Sequence, residues 1–235
     1  MALTVIKNWD NKTWLSSKDY IKSFNRFLTK KTKLNSKSKI LDIGCGRGKI
    51  LGNLSSKLSL KNKPLGIDII NHKDKDKRII FKKINALSFF LKNKKKFDLI
   101  LIKQTIHLFN LDEIKKLLDL SKKNLSPNGK ILIFSLDTYN NEIPTFKLMK
   151  MELLKSLERD KKILKLITKL HPYKKSKFIY KVKITRNKYL KMLKNRYIST
   201  LLSMSDSELQ KGLNEIEYKY KNNIKFRDKL ICLAL

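Results

Sequence analysis

The stretch Ile40-Leu-Asp-Ile-Gly-Cys-Gly-Arg-Gly48 constrains this chain more than any other, because a short apolar run stops there at glycines in every second position. An unbroken apolar run fits a strand buried on both faces, and Gly44, Gly46 and Gly48 let the backbone turn sharply and come close to a ligand. A helical pattern follows from about Lys49 to Leu58, and the first turn of a helix presents unpaired amides to whatever lies across the turn. The spacing is G-x-G-x-G. A nicotinamide dinucleotide fingerprint needs G-x-G-x-x-G, which argues against that cofactor.

The alternation of strands and helices runs through the first 136 residues. Ser16 and Ser17 precede a helical pattern at Tyr20, Ile21, Phe24, Phe27 and Leu28. Strands are expected at Lys39–Ile43, Pro64–Ile70, Ile79–Lys83, Phe97–Ile102 and Lys130–Phe134, with a helix from Asp112 to Leu125 and a turn at Ser126-Pro-Asn-Gly129. Such a pattern implies an α/β fold, a doubly wound and mostly parallel sheet covered on both faces. Past Tyr139 the texture changes. Pro144 opens a long helical region to about Leu170, Phe178–Ile184 alternates like a half-exposed strand, Tyr189–Leu202 reads as a helix, Asp206 as the N-cap of another, and Ile224–Leu235 as a closing strand. A single domain spanning 1–235 is expected, with an N-terminal helix (1–35), a cofactor-binding core (36–136) and a C-terminal helical cap with closing strands (137–235).

The chain is long enough for a full core, and no apolar run reaches the roughly 20 residues needed to span a bilayer. The start lacks the layout of a secretion signal, so a cytoplasmic protein is expected. Cys45 and Cys232 are too few for a disulfide framework, and with 3 scattered histidines no metal site is expected. The net charge of +35, from 55 Lys and Arg against 20 Asp and Glu, would attract any polyanion. The excess is mostly Lys, spread through runs such as Lys73–Arg78, Lys92–Lys96 and Lys174–Lys177, which favours a compositional origin over a clustered nucleic-acid footprint.

Asp68 stands 20 residues beyond Gly48 at the end of the second strand, where a carboxylate can accept hydrogen bonds from both hydroxyls of a ribose. Asn85-Ala86 follows the third strand, and Lys103-Gln104 the fourth. In this order and spacing, residues 36 to 136 resemble a class I S-adenosylmethionine-dependent methyltransferase. That resemblance implies S-adenosylmethionine as cofactor, with Asp42, Gly44, Cys45 and Gly46 at its methionine end, Asp68 on the ribose, Ile69 on the adenine, and Asn85 with Ala86 at the adenine edge. Many members carry Asp where this chain has Asn85, whose amide oxygen is expected still to accept from the exocyclic amine of the adenine. Lys103 and Gln104 would face the methionine moiety or the substrate.

In the second half, Phe178–Ile184, the Tyr189–Thr200 segment and Ile224–Cys232 are similar to small-molecule methyltransferases related to trans-aconitate methyltransferase. By that similarity Arg196 and Tyr197 are substrate or catalytic candidates, and a guanidinium would suit an anionic metabolite. His107 is a candidate general base or a packed residue. Trp9, Trp14 and Tyr20, candidates for the substrate side, either close over the cofactor as an N-terminal lid or are aromatic core for the first helix. The alternative acceptor is RNA, against which stand the absence of an Asn-Pro-Pro-Tyr or Asp-Pro-Pro-Tyr element and of a separate RNA-binding module.

Overall fold

A computed structural model describes residues 13–235. Five strands, β1 (Ile40–Ile43), β2 (Leu65–Asp68), β3 (Ile80–Lys83), β4 (Phe97–Lys103) and β5 (Leu125–Leu136), run parallel to one another. Two more, β6 (Lys174–Thr185) and β7 (Asn223–Ala234), complete a seven-stranded sheet in the order β3-β2-β1-β4-β5-β7-β6, in which β7 is antiparallel to both neighbours. The doubly wound expectation therefore holds.

Strand alternation divides the core into two layers. Leu99, Leu101, Leu132 and Phe134 point to the face covered by α1 (Lys18–Lys31) and α2 (Lys49–Lys57), among Phe24, Leu28 and Leu51. Their alternates Ile100, Ile102, Ile131 and Ile133 point to the opposite face, under α3 (Ala86–Lys92), α4 (Leu111–Lys123) and α5 (Lys147–Leu170). The central strands read as continuous apolar runs because they are buried on both sides. Each such side chain contributes about 1.5 to 3 kcal/mol relative to exposure.

Several boundaries differ from the sequence reading, each for a local reason. α3 was not expected; Asn85 starts it by accepting from the amides of Leu87 and Ser88. The turn expected at Ser126–Gly129 is instead the bulged start of β5, with a register shift opposite Phe97 to Leu99 and Asn128 at φ +64°. The helix expected at Tyr189–Leu202 is α6 (Arg186–Lys194), stopped at Asn195 and followed by a short 3-10 turn at Ser199–Leu201. Asp206 is the first residue of α7 (Asp206–Lys219) and not its N-cap. Ser205 holds that place, in a capping box with Glu208. α6 and α7 are inserted between β6 and β7, where the cap was expected.

The turn after β1 is held tightly. Gly44 sits at φ +72°, and a Cβ on it would lie 2.3 Å from Thr105 Oγ1. Gly44→Ala therefore meets both a left-handed backbone and a clash, and should cost at least about 1 to 3 kcal/mol. The check is the urea midpoint, which should fall with its slope preserved. An unchanged midpoint would contradict this account of the turn.

Candidate functional site

The C-terminal ends of β1, β2 and β4 meet at the glycine turn. The amides of Gly44 and Cys45 both donate to the Ile67 carbonyl (2.8 and 3.1 Å), binding the turn to the end of β2. Gly46 is at φ +54°, and a Cβ there would meet nothing within 4 Å, so open space lies over the turn. Asp68 stands beside it. Its Oδ2 accepts from the Gly46 amide and its Oδ1 from the Ile70 amide, both at 2.9 Å, and His72 Nε2 is 3.7 Å from Oδ2. Burial alone would raise the Asp68 pKa, but His72 and these two amides outweigh it and hold the carboxyl below its ordinary value. It is ionised at neutral pH, and each oxygen retains acceptor capacity for a hydroxyl. His72, itself buried, was missed by the sequence reading; its position four residues after Asp68 was the available signal.

Beyond Asp68, the Ile69 side chain is 49% exposed, an apolar surface next to a carboxylate. Asn85 spends its Oδ1 on capping α3, so the atom it leaves for a ligand is the amide nitrogen, a donor. This changes the expectation that its oxygen would accept from an adenine amine. Ala86 is buried under the same helix start. Cys45 packs its sulfur against Gly66, where a Cβ would lie 2.7 Å from Sγ. Burial first, then the charges of Asp42 and Asp68, push the thiol far up, so it carries no thiolate at neutral pH.

Asp42, Lys103 and Asp228 project from β1, β4 and β7 to one face of the sheet, following the alternation that sends Leu101 and Leu230 there. Burial raises Asp42 to about 8 against the opposing pull of Lys103, with Asp68 adding to the rise. Lys103 Nζ donates to Gln104 Oε1 (2.6 Å) and lies 5.5 Å from the ring centres of both Tyr20 and Phe24. Gln104 is at φ +51°, a strained backbone for a non-glycine at the end of a strand.

Three aromatic candidates come together above this rim. The Trp14 indole donates to Asp228 Oδ2 (3.1 Å) and packs edge-on against Tyr197 and Phe226, with ring centres 5.3 and 5.0 Å away. Tyr20 and Tyr197 are both buried, and Tyr197 Oη is 3.2 Å from Tyr189 Oη. Trp9 lies outside the described residues. Asp228, which links Trp14 to Tyr20, was not singled out from sequence, since one carboxylate among the lysines and arginine that alternate along the start of the closing strand carries no motif.

Arg196 is placed differently. It occupies the left-handed position after α6 at φ +49°, donates through Nη1 to the Leu201 carbonyl, and pairs through Nη2 with Asp206 Oδ1 at 2.8 Å. Its guanidinium ties α6 to α7, so the expectation of an anion-binding arginine is dropped. His107 sits on a 3-10 turn at Ile106–Leu108 after β4. Burial and the neighbouring Arg159 push its imidazole down to about 4, leaving it neutral at pH 7 and a weak base. Two shallow hollows of about 290 and 260 Å³ lie at the β6–α6 corner and between α5 and α7, and neither includes a residue of the glycine turn. Among the described residues no cluster of His, Cys, Asp and Glu could hold a metal, and no helix is long and apolar enough to cross a membrane.

A carboxyl raised in the folded state contributes stability that is present at low pH and lost as pH rises through its folded value. For Asp42 the loss runs between about pH 4 and 8. Asp42→Asn should therefore gain stability over the parent as pH rises across that window. Paired melting curves at pH 5 and 8.5 test this, and an equal difference at both would contradict the assignment.

Comparison with known proteins agrees with this geometry. A family model described as a methyltransferase domain matches residues 15–169. A putative methyltransferase from an antibiotic biosynthesis pathway of Anabaena variabilis superimposes with a TM-score of 0.62 at 14% identity, covering 90% of this chain and 96% of that one. A SAM-dependent methyltransferase of Archaeoglobus fulgidus gives 0.52 at 19% identity, over 93% and 94%. One from Geobacter sulfurreducens, solved with S-adenosylhomocysteine, gives 0.51 at 14% identity, over 93% and 90%. No curated protein matches the sequence.

Proposed function

The chain belongs to the methyltransferase domain family and is an S-adenosylmethionine-dependent enzyme, and on that premise we propose that it methylates a small molecule held under its N-terminal aromatic segment and C-terminal cap. The observation that carries the reading is the open space over Gly46, bounded by an ionised Asp68 and the exposed Ile69. These residues fit the cofactor: two carboxylates, an apolar face and a close backbone are what a ribose, an ammonium and an adenine require.

When bound, S-adenosylmethionine supplies a methyl group on a sulfonium that is already electrophilic. The protein's task is alignment and exclusion of water. Asp68 takes the ribose hydroxyls, Ile69 gives the adenine an apolar face, and the Asn85 amide nitrogen donates to a ring nitrogen. Asp42, with Gly44 and Gly46, serves the methionine end, where its carboxyl would ionise beside an ammonium. Lys103 and the left-handed Gln104 set the edge between cofactor and acceptor.

A small acceptor is favoured by the cover over this rim, since Trp14, Tyr189 and Tyr197 are buried in one edge-on ring cluster beside it. The earlier preference for an anionic acceptor rested on Arg196, whose guanidinium is spent on the turn after α6. A small part of the basic charge has a structural use. Lys174, Lys175, Lys177, Lys181 and Lys183 lie exposed along β6, and Lys82 and Lys83 along β3, the two edges of the sheet. Lysines there discourage edge-to-edge pairing with another chain.

Asp68→Ala should weaken S-adenosylhomocysteine binding by about tenfold or more, a loss of about 1.4 kcal/mol, measured by calorimetry with the melting temperature as a fold control. Unchanged affinity would refute the ribose role. Transfer of labelled methyl should appear with a fractionated metabolite extract and not with total RNA. Label in RNA instead would make the basic surface the substrate site.

A further inference from the structure

We propose that the open face of the β6–β7 ribbon, together with the hollow at its end, is a docking surface for a single-stranded nucleic acid. The surface includes no residue of the glycine turn and is independent of which molecule accepts the methyl group.

β5 pairs with β7 only from Leu132 to Leu136, opposite Ala234 to Leu230, so β6 and β7 run on beyond it as a two-stranded ribbon in which Ile179 to Thr185 face Lys229 to Asn223. The register sorts its side chains by face. Phe178, Val182, Ile184, Ile224 and Phe226 turn to the core, whereas Lys177, Ile179, Lys181 and Lys183 on β6 and Lys225, Arg227 and Lys229 on β7 turn to the other face. There Lys181 stands directly opposite Arg227 and Lys183 opposite Lys225, all four exposed. Like charges directly opposite one another destabilise a sheet, so two such pairs side by side come at a cost. Protection of an edge needs a lysine on it, not a like charge facing that lysine across the ladder. On the other edge of the sheet, Lys82 and Lys83 of β3 stand opposite Ile67 and Asp68.

Acidic partners reach only part of the row. Lys177 pairs with Asp137 at 2.8 Å, and Arg227 and Lys229 share Glu142, with Lys229 Nζ 2.6 Å from its Oε1. Among the described residues, the side chains of Lys181, Lys183 and Lys225 make no hydrogen bond or ion pair. Same-face neighbours along a strand are about 6.6 Å apart and paired strands about 4.8 Å apart, so these ammonium groups form a narrow track. A nucleic-acid backbone carries one negative charge per nucleotide and binds along such a track by releasing counterions.

The end of the ribbon points to the same occupant. Thr185 and Asn223, its last pair, open into the hollow of about 290 Å³, whose lining adds Arg186, Asn187, Lys221 and Asn222. Side-chain amides donate and accept at once, as a base edge does, and the Arg186 Nε is a buried donor with no partner. Tyr218, three residues before Lys221, is 94% exposed, and a bare ring beside a basic track is a stacking platform for an unpaired base. An anionic membrane would use neither the amides nor the hollow, and on this face of the ribbon Ile179 alone offers an apolar side chain for insertion.

The test is fluorescence anisotropy of a labelled oligouridylate of about 12 nucleotides titrated with the full chain over a range of salt. A triple variant, Lys181→Gln, Lys183→Gln and Lys225→Gln, is compared with a control of equal charge change, Lys92→Gln, Lys94→Gln and Lys95→Gln, all exposed in the parent. At about 0.15 M salt the ribbon triple should bind about tenfold more weakly or worse, with a salt slope shallower by about 2, and the control should stay within about twofold of the parent. Tyr218→Ala should lose about fivefold with the salt slope kept. The melting temperature of the ribbon triple should not fall, since its like-charge pairs are relieved, and its S-adenosylhomocysteine affinity should match the parent. Equal losses in the two triples would assign the binding to the overall field and overturn the inference. It is also overturned if the oligonucleotide does not bind, or if the ribbon lysines serve only vesicles of phosphatidylserine and phosphatidylcholine.

Discussion

The hydrogen bond from the Gly46 amide to Asp68 Oδ2, 2.9 Å long, is the constraint on which the rest of the site depends. It joins the end of β2 to the turn that follows β1, and it is possible only because three consecutive features agree. Gly44, Gly46 and Gly48 all adopt positive φ, the Ile67 carbonyl receives two amides of the turn, and Gly66 leaves room for the Cys45 side chain. A carboxylate fixed by a loop amide is held beside the space over Gly46. Preorganisation of this kind lowers the ordering cost of binding.

The second half of the molecule completes the rim from the other side. β7, inserted antiparallel between β5 and β6, brings Asp228 to the sheet face that also carries Asp42 and Lys103. The Trp14 indole reaches across 214 positions of sequence to bond Asp228, so the N-terminal segment, the closing strand and the inserted α6–α7 unit share one aromatic cluster. Three carboxyl groups and one lysine thus share a single rim in a chain of net charge +35, and of the three only Asp68 is held below its ordinary value.

The strands and the glycine turn were legible in the sequence because doubly buried strands are continuous apolar runs and because positive φ is written in glycine. Asp68 was legible for the same reason, since its place follows from the strand end. What was not legible depends on packing between distant segments. Arg196 looked like a free guanidinium within a helix, but the chain leaves the helix one residue earlier and spends the side chain on closing the turn. Asn85 was read as a ligand acceptor, and the unexpected start of α3 takes that oxygen. Asp228 has no local pattern, since it is defined by Trp14, more than two hundred residues away, and His72 had only its place four residues after Asp68 as a signal. Helix boundaries failed where a capping side chain decides them, as at Ser205.

The central claim is that the open space over Gly46, beside Asp68 and Ile69, holds S-adenosylmethionine, and a crystal structure of the full chain grown with S-adenosylhomocysteine tests it most directly. The account predicts the ribose hydroxyls on Asp68, the adenine against Ile69 and the sulfur directed toward the rim bounded by Lys103 and Tyr20. Density for the ligand at another surface, or a ribose with no contact to Asp68, would contradict it.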